Sequence, residues 1–515
     1  MRIGHECYAA GHSISSPMQN GIRLAAVDLG SNSFRLEIGR LDHGHIHRTE
    51  YLKETVRQGN GLDAERNLSA EAMQRGWDCL ARFGERLAGF SGEQVRAVAT
   101  QTLREARNRD AFLERAQQIL GFPIDVISGR EEARLIYQGV AHLLPQSDER
   151  RLVVDIGGRS TELILGQGTE ARVTESYRVG SVAWSMKYFP DGAFSSRAFQ
   201  MAEIAAKAVL DEALEAYPRG RWDTAYGSSG TIGAVGDLLA GAGWPAGIVT
   251  REGLNWLKDK LVKAQRADQL RLDNLKEDRR PVIGGGLAVL RAVFDLLDID
   301  EMYAAEGALR HGVLYDLLDR ELEQTDVRSA TVQRLVTRFQ VDPPQAQRVG
   351  AAALQLFRQT LPAMPEEDRE RIERKLTWAA RLHEIGTQIS HSDYHKHGAY
   401  ILDNTDAPGF DQAELHRLGQ LVLGHRGKLR KLEDPIDDPV FVQQLLCLRL
   451  AVVLCHARRE PDIDGIELSK DMYAPTFRLS LPEGWETRYP QSAHLLREEC
   501  IAWQKAPWRL NLLLI

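Results

Sequence analysis

Short apolar segments alternate with longer amphipathic segments from Leu24 onwards, a pattern that predicts layered α/β structure. AAVDLG, RLEIGRL, VRAVAT and IDVIS are short apolar runs of the kind that form strands. LSAEAMQRGWDCLARFGERLAGF repeats its large apolar residues at helical spacing, and RDAFLERAQQIL is a second predicted helix. We therefore expect a first α/β subdomain over residues 23–135.

A second block repeats this plan, and the pattern then changes. LVVDIGG, ELILG and AYGSSG are predicted strands, whereas residues 201–217 and GGLAVLRAVFDLL are predicted helices, which gives a second subdomain at 136–318. Helical patterning runs almost unbroken over 319–460 and predicts an all-helical domain. Over 461–515, TFRLSL and RLNLLLI are predicted strands that flank the helix QSAHLLREECIAWQK, and they predict a small α/β module.

The two α/β blocks share one motif. Residues 26–39 read AVDLGSNSFRLEIG and residues 153–166 read VVDIGGRSTELILG, so a shift of 127 residues superimposes Asp28 on Asp155. The same shift also aligns a glycine, a serine and a leucine, which two unrelated apolar strands would not do. The repeat predicts a duplicated core whose two halves face each other across a cleft.

The repeated unit, apolar-Asp-x-Gly-x-x-Ser, has the composition of a phosphate-binding hairpin. Its glycine lets backbone N–H groups approach an anion, its serine adds a hydroxyl donor, and its aspartate suits a metal ion or a metal-bound water. A third loop, GSSGT at 227–231, precedes a helix whose N-terminal amides also favour anions. Three such loops in two repeated halves predict phosphate chemistry in the cleft.

In combination, AAVDLGSNSFRLEIG, VISGREEARLIYQGV, LVVDIGGRSTELILG, GSSGT and EGALRHGVLYDLL resemble the exopolyphosphatase/guanosine pentaphosphate phosphohydrolase family over essentially the whole chain. The resemblance implies a duplicated actin-like ATPase (ribonuclease H-like) two-lobed core, then an all-helical HD-like domain and the small α/β module. It also implies Mg²⁺-assisted attack of water on a terminal phosphate, and a homodimer.

Within that family, the main expectation is a processive exopolyphosphatase acting on inorganic polyphosphate. The segment from AAVDLGSNSF to ERLAGF resembles exopolyphosphatases slightly better. Hydrolysis of guanosine pentaphosphate (pppGpp) to ppGpp is the alternative. A non-catalytic phosphate- or nucleotide-sensing protein on the same fold is a less favoured third hypothesis.

The resemblance also assigns residues. It makes Glu132 the general base, with Asp155 and Glu162 orienting the water or holding Mg²⁺. Glu131 is the alternative base, although its place in the capping-box pattern SGRE favours a helix-capping role. The expected phosphate-binding residues are Asp28, Gly30, Ser31, Asn32, Ser33, Arg104, Gly157, Gly158, Arg159, Ser160, Thr161, Gly227, Ser228, Ser229, Gly230, Thr231 and Arg279.

Two segments depart from the family pattern. Arg159 stands where the family's usual loop, DIGGGSTE, has its third glycine, so we expect it either to contact phosphate or to strain the turn if its φ is positive. RLHEIG resembles the HD motif but pairs His383 with Glu384, and the remainder of a metal-binding set is not visible nearby. We therefore expect a helical scaffold without a metal there.

Composition sets limits on the rest. The 515 residues are 43% hydrophobic with a net charge of −7, which favours a soluble globular protein over a nucleic-acid-coating protein. No run of 18 apolar residues is present, and residues 1–22 form an expected disordered extension without a signal-peptide core. Five scattered cysteines without a CxxC motif fit a reducing compartment. We expect a cytoplasmic enzyme with no nucleic-acid partner and no integral membrane association.

Overall fold

A computed structural model describes residues 21–42, 45–145, 147–321, 326–361, 364–432, 437–471 and 473–514. Residues 1–20, which hold nearly all of the expected N-terminal extension, lie outside this range. The chain divides into two compact units, Met1–Asp326 and Val327–Ile515. None of the helices in the described ranges is both long and apolar enough to span a bilayer.

The first unit alternates strands and helices as the sequence predicts. Its described strands are β1 (Arg23–Leu29), β2 (Phe34–Asp42), β3 (His45–Glu54), β4 (Val95–Ala99), β5 (Ile124–Val126), β6 (Arg150–Ile156), β7 (Thr161–Gln167), β8 (Glu170–Tyr177), β9 (Thr224–Ser228), β10 (Ile248–Thr250) and β11 (Glu301–Ala304). Its described helices are α1 (Ala70–Arg86), α2 (Gln101–Glu105), α3 (Arg109–Leu120), α4 (Gly129–Leu143), α5 (Ser181–Tyr188), α6 (Ser196–Leu210), α7 (Ala213–Ala216), α8 (Gly230–Gly241), α9 (Arg251–Ala264), α10 (Ile283–Leu296) and α11 (Leu309–Glu321).

Two mixed sheets form the centres of a first lobe (23–126) and a second lobe (150–304). The first sheet has the order β3-β2-β1-β4-β5, and the second has the equivalent order β8-β7-β6-β9-β11 with β10 added at its edge. The strand directions agree as well, because β1/β2 and β6/β7 are antiparallel whereas β1/β4 and β6/β9 are parallel.

An irregularity in strand pairing also repeats between the lobes. The ladder of β2 with β3 shifts its register between Ile38 and Gly39, and the ladder of β7 with β8 shifts between Leu165 and Gly166. These two positions are 127 residues apart, which is the offset that the sequence motif gives. The predicted duplication is therefore confirmed. The repeated bulge is a further sign of it that the sequence motif did not predict.

Helices α4 and α11 connect the two lobes. A Cβ atom on Gly312 would lie 1.8 Å from the carbonyl oxygen of Leu135, and a Cβ atom on Gly139 would lie 2.3 Å from the carbonyl oxygen of Ala308. Only glycine permits so close an approach of two backbones. The predicted subdomain borders at 135/136 and 318/319 fall inside these two helices.

Side chains from both sheets pack against this helix pair. One buried cluster contains Leu24 and Val98 from the first sheet, Val153 and Ile164 from the second, and Val313 from α11. Because these side chains share one core, α4 and α11 are held between the lobes on both sides.

The second unit is mostly helical, as predicted. Its described elements are α12 (Val327–Arg338), α13 (Pro343–Thr360), α14 (Glu366–Leu382), α15 (Tyr394–Asn404), α16 (Gln412–Gly424), α17 (Pro439–Leu454), β12 (Glu467–Lys470), β13 (Thr476–Leu481), α18 (Trp485–Arg488), α19 (Pro490–Trp503) and β14 (Arg509–Leu514). The three strands form one sheet, β12-β13-β14. Leu446 from a helix and Phe477 and Trp503 from the C-terminal segment belong to one hydrophobic core. An HD-like identity for these helices stays a prediction.

Candidate active site

A cleft of about 400 Å³ lies between the two lobes of the first unit. Both repeated hairpins, the third loop and the start of α4 contribute to its wall. The predicted site residues that line it are Asp28, Gly30, Ser31, Asn32, Ser33, Glu132, Asp155, Gly157, Gly158, Ser160, Ser229, Gly230, Thr231 and Arg279. The structure therefore brings together side chains that are up to 251 residues apart in the sequence.

The loops are held in place by bonds that reach well beyond each hairpin. In the first loop, the backbone oxygen of Ser31 accepts from Gly59 N at 2.8 Å and its hydroxyl accepts from Thr102 Oγ1 at 2.8 Å. In the second loop, the carbonyl oxygens of Gly157 and Gly158 accept from the backbone at the start of α5, both at 2.9 Å. The phosphate loops are thus preorganised without a ligand.

The third loop contains a strained residue. Ser229 has a φ of 98°, an uncommon value for a residue with a side chain. It caps α8, because its hydroxyl accepts from the backbone N–H groups of Thr231 and Ile232. A Cβ atom on Gly230 would lie 2.1 Å from Arg279 Nη2, so the guanidinium packs directly against the backbone at the helix start. Strain of this kind is typical of functional loops.

The two hairpins carry opposite charges at equivalent positions. Asp28 on β1 faces Arg35 on β2, and the equivalent partners on β6 and β7 are Asp155 and Glu162. Arg35 Nη1 donates to Asp28 Oδ2 at 3.0 Å, so the first pair is an ion pair. The second pair consists of two carboxylates. Duplication therefore produced one neutralised hairpin and one acidic hairpin.

Burial and mutual repulsion raise the pKa values of the acidic hairpin. The partly buried position of Asp155, with the charges of Glu132 and Asp28 adding to it, raises the pKa of its carboxyl to about 7. Burial raises the pKa of Glu162 well above its usual range, and the charges of Glu132 and Asp155 act in the same direction. Glu162 also accepts from Ser176 Oγ at 2.7 Å. This region attracts protons or a cation.

The carboxylate pair suits a magnesium ion. Mg²⁺ prefers oxygen ligands and is usually held by one or two carboxylates together with substrate phosphates. Asp155 lines the cleft and Glu162 is its buried cross-strand partner; burial, with the charge of Glu132 adding to it, raises the pKa of both carboxyls. In the described part of the chain, no group of three or more His, Cys, Asp or Glu side chains could hold a metal, so a complete protein cage is not available.

Glu132 lies at the first turn of α4, with its side chain in the cleft wall. Arg104 Nη1 donates to Glu132 Oε2 at 2.7 Å. Arg104 itself is fixed by Gln101 Oε1 and by the backbone oxygen of Ile127, at 2.7 and 2.9 Å. Burial raises the pKa of Glu132, against the lowering effect of Arg104, and a raised pKa makes this carboxylate a better proton acceptor.

Glu131 has a different role from its neighbour. Its two carboxylate oxygens each accept from Arg134 at 2.8 Å, and its side chain is fully buried. The expected cap at Ser128 is present, because the serine hydroxyl accepts from Glu131 N at 3.2 Å. The glutamate side chain turns to Arg134, however, so the expectation that it caps the helix is wrong. This geometry favours Glu132 over Glu131 as the base.

Several expected phosphate ligands lie outside the cleft wall, although the structure describes all of them. Arg104 binds Glu132, and the hydroxyls of Thr161 and Ser228 donate to the backbone oxygens of Val179 and Gly307. A Cβ atom on Gly227 would meet buried side chains from 2.5 Å, so this glycine serves packing. Glu162 lies behind Asp155, and its exposed fraction is 1%.

Arg159 bridges the two lobes instead of lining the cleft. Its Nη2 donates to Glu105 Oε2 at 2.8 Å, and its Nη1 donates to the backbone oxygen of Gly59 at 3.2 Å, both in the first lobe. Arg159 is absent from the residues with positive φ in the described chain, so the interpretation as backbone strain is wrong. Its guanidinium is engaged by protein oxygens, which argues against phosphate as its partner.

Sequence reasoning gives too little weight to the basic residues and the aromatic ring of the cleft. The sequence makes Arg35 a candidate phosphate contact, as it does Arg104 and Arg279, and the structure places Arg35 in the cleft wall, whereas Tyr51, Lys53 and Lys276 receive no role from motifs. One signal is present, because Arg35 and Lys53 are cross-strand partners on β2 and β3. This signal can be used only when the pairing of β2 with β3 is known, and the apolar pattern of the sequence does not predict β3.

Three histidines of the second unit are buried in its interior. His383, His395 and His425 are buried, and the ring centres of His383 and His425 lie 5.4 Å apart. The Nδ1 atoms of His383 and His425 each pair with the carbonyl oxygen three residues earlier, at 2.7 and 2.6 Å. Glu384, the second residue of the HD-like pair, accepts from Arg458. This pattern fits a packed helical scaffold.

Acidic groups that repel one another beside two preformed phosphate loops suit one class of proteins: enzymes that hydrolyse phosphoanhydrides with water. Glu132, the loops around Gly30 and Gly157, and Asp155 line the cleft as separate groups, with Glu162 buried as the cross-strand partner of Asp155.

Comparison with known proteins also indicates an enzyme that hydrolyses phosphoanhydrides, and it identifies the family. A sequence model of the Ppx/GppA phosphatase family matches residues 38–321, and one described as domain III of that phosphatase family matches 327–500. This chain belongs to the Ppx/GppA phosphatase family, which confirms the resemblance, and it is a phosphoanhydride hydrolase.

The sequence relatives are named as guanosine-5'-triphosphate,3'-diphosphate pyrophosphatases, whereas the solved structures are named as an exopolyphosphatase-like protein and an exopolyphosphatase. Guanosine-5'-triphosphate,3'-diphosphate pyrophosphatase of Vibrio vulnificus is 39% identical over 495 residues, 95% of this chain and 98% of the relative. The protein of that name from Aeromonas hydrophila is 38% identical, over 96% of this chain and 100% of the relative. A solved exopolyphosphatase-like protein covers 58% of this chain and 98% of its own, with 26% identity and a TM-score of 0.53. An exopolyphosphatase of Cytophaga hutchinsonii shares the fold, at 24% identity, 58% of this chain, 98% of its own and a TM-score of 0.52.

Replacing the proposed base tests its role directly. We expect Glu132→Gln to lower kcat by about 10²–10⁴-fold, because a general base contributes that much, whereas KM stays within a few fold since the phosphate loops remain. Phosphate release under steady-state conditions measures both. Glu170→Gln, an exposed glutamate on β8, is the matched control. Near-normal turnover of Glu132→Gln would show that the proton acceptor lies elsewhere.

The ion pair between Arg159 of the second lobe and Glu105 of the first gives a second prediction. We expect Arg159→Gly to lower the free energy of unfolding by about 1 kcal/mol, because it removes a partly buried ion pair and relieves no backbone strain. Glu105→Gln should have a similar effect, and the double variant should lose less than the two single losses combined. Urea unfolding of the four proteins measures this coupling. A stabilised Arg159→Gly variant would contradict the assignment.

Proposed function

We propose that this chain hydrolyses the terminal phosphate of the 5'-triphosphate of pppGpp, giving ppGpp and inorganic phosphate. The observation that carries this proposal is the 38–39% identity to relatives named for this substrate, over 95–96% of the chain. The expectation of an exopolyphosphatase rested on a slightly better resemblance of one N-terminal segment. Identity over the full length is the stronger argument, so we favour what was the alternative.

The reaction follows from the placement of the cleft residues. A water oxygen attacks the terminal phosphorus, the bond from that phosphorus to the bridging oxygen breaks, and the water's proton passes to Glu132. Backbone N–H groups of the two hairpins and the side chains of Ser33 and Ser160 bind the phosphate oxygens. Asp155 and Glu162 would hold Mg²⁺, which when bound supplies positive charge that offsets the charge on the phosphates.

Inorganic polyphosphate is the second candidate substrate. A solved exopolyphosphatase-like protein resembles 58% of this chain, and several basic residues line the cleft. A phosphate-sensing protein without activity is less favoured, because Glu132, Asp155 and Glu162 are all present in an arrangement that suits hydrolysis.

A direct comparison of the two substrates tests the proposal. We expect phosphate release from pppGpp with Mg²⁺ at a kcat/KM at least tenfold above that from long-chain polyphosphate, and no release with EDTA. Thin-layer chromatography should identify ppGpp as the remaining nucleotide. A preference for polyphosphate would favour the exopolyphosphatase assignment instead. Release of phosphate from neither substrate would contradict both assignments.

Tyr51 supports a nucleotide substrate. Its ring is in the cleft wall and 41% of the residue's surface is exposed. The guanidinium carbons of Arg310 and Arg48 lie 5.0 and 5.7 Å from the ring centre. The phenol O–H of a tyrosine can donate to either substrate, but only a purine base can stack on the face of the ring.

Substitution of this ring distinguishes the two substrates. We expect Tyr51→Ala to raise KM for pppGpp by about tenfold, the size of one lost base-stacking contact, and to leave KM for polyphosphate unchanged. Tyr51→Phe is the matched control, since it keeps the ring and should behave like the unaltered protein. Equal changes in KM for both substrates would show that Tyr51 supports the structure of the cleft and does not bind the base.

A further inference from the structure

A continuous set of hydrogen bonds connects the second phosphate hairpin to Glu132. Arg159, in the loop between β6 and β7, donates from Nε and Nη2 to Glu105 Oε2 at 3.2 and 2.8 Å. The other carboxylate oxygen of Glu105 accepts from Gln101 Nε2 at 2.6 Å. Gln101 Oε1 in turn accepts from Arg104, whose Nη1 donates to Glu132 Oε2 at 2.7 Å. These five side chains form the base network, which begins in the second lobe and passes through the first lobe to α4.

Donors and acceptors match along the base network. An arginine side chain only donates and a carboxylate only accepts, so Gln101 must direct its NH₂ group to Glu105 and its oxygen to Arg104. Exchanging the two ends of this amide would place two acceptors opposite each other on one side and two donors on the other. The orientation of each side chain in the base network therefore depends on its neighbours on both sides.

These bonds are largely shielded from water. Arg104 and Glu105 each expose 11% of their side chain, and Gln101 is buried. A hydrogen bond in such surroundings is stronger than in water, and bonds in series reinforce one another. Loss of one link is therefore expected to loosen the links beyond it.

The helix that carries the middle of the base network is short. α2 has five residues, too few to be stable through its own backbone hydrogen bonds. Gln101, Arg104 and Glu105 share one of its faces, because residues three and four positions apart are neighbours on a helix. The position of this face therefore depends on its partners, which are Arg159 on one side and Glu132 on the other.

Arg159 is also held against the backbone of the first lobe. Its Nη1 donates to the carbonyl oxygen of Gly59, and a Cβ atom on Gly59 would lie 3.1 Å from Arg159 Cδ. The glycine that the family's usual loop has at this position carries no side chain and could make neither contact. The link from the second lobe to the base is therefore a property of this chain's own sequence.

We propose that Arg159 and Glu105 are positioning residues that act through Gln101 and Arg104. They hold the Glu132 carboxylate in the orientation in which it takes the proton of the attacking water. Because Arg159 belongs to the second phosphate hairpin, the base is oriented relative to a loop that binds phosphate. The proposal rests on the proposed function in so far as Glu132 is the base of the hydrolysis.

Steady-state phosphate release with Mg²⁺ distinguishes positioning of the base from binding of substrate. We expect Arg159→Met and Glu105→Gln each to lower kcat about tenfold and to change KM less than twofold, because the phosphate loops remain and only the base is misplaced. Arg159→Lys should recover most of the loss, since its ammonium group can still donate to Glu105. The fractional loss should be the same for pppGpp and for long-chain polyphosphate.

Arg291→Gln is the matched control. Arg291 Nε donates to Glu203 Oε1 at 2.7 Å, in an ion pair of similar burial within the second lobe. This variant should keep normal kcat and KM. Unaltered kcat in Arg159→Met, or a raised KM without a loss of kcat, would overturn the proposal.

The Glu132→Gln background shows whether the effect passes through the base. Once the carboxylate is gone its orientation no longer matters, so Arg159→Met should lower the residual single-turnover rate of Glu132→Gln by less than twofold. A tenfold loss in that background would mean that Arg159 acts on the phosphate loop itself, and it would overturn the proposal.

Urea unfolding tests the base network without any substrate. Arg159 and Arg104 are connected through Glu105 and Gln101, so Arg159→Met/Arg104→Met should lose less stability than the two single losses combined. Additive losses would overturn the proposal. If Arg159→Met does not fold, Glu105→Gln replaces it in each comparison. Release of phosphate from neither substrate would contradict the proposed function alone, and the unfolding measurement would still decide the inference.

Discussion

The close crossing of α4 and α11 is the constraint on which the catalytic cleft depends. Gly139 and Gly312 let the two backbones touch, and no larger residue fits at either place. Buried ion pairs hold the helices in register beside this crossing: Arg134 binds Glu131 on its own helix and Asp316 on α11, and Arg96 of β4 also binds Asp316. Because Glu131 is anchored in this network, the next residue, Glu132, is directed into the cleft.

Symmetry of the backbone and asymmetry of the charges together create the site. The two lobes repeat strand order, strand direction and even a bulge, so their hairpins meet as equivalent loops. A symmetric pair of loops would bind a symmetric ligand. At equivalent positions, Arg35 forms an ion pair with Asp28 in the first hairpin, whereas Glu162 places a second carboxyl beside Asp155 in the other. The two hairpins therefore differ in charge although their backbones are equivalent.

The sequence predicted what depends on local pattern and missed what depends on distant partners. The helix at 109–120 and the strand at 476–481 have the predicted bounds, because their apolar residues all face one core. β3 and β8 went unrecognised since both are edge strands with much of their surface exposed, which breaks the apolar run. The predicted helix at 201–217 divides into α6 and α7. Arg159 was assigned to phosphate because its partner, Glu105, is 54 residues away and no spacing rule connects them.

The acidic hairpin is retained although it weakens the fold at neutral pH. A carboxyl group whose pKa is raised on folding binds its proton more tightly in the folded chain, so its contribution to stability is full at low pH and is lost as the pH rises. For Asp155 that loss falls between its ordinary value of 3.8 and about 7, and the raised pKa of Glu162 acts in the same direction. Replacing Glu162 with the arginine found at the equivalent position of the first lobe would remove this repulsion, and it would also remove one of the two carboxyls proposed to hold Mg²⁺. A hairpin that lowers stability while it concentrates acidic groups at a cleft is typical of a functional site.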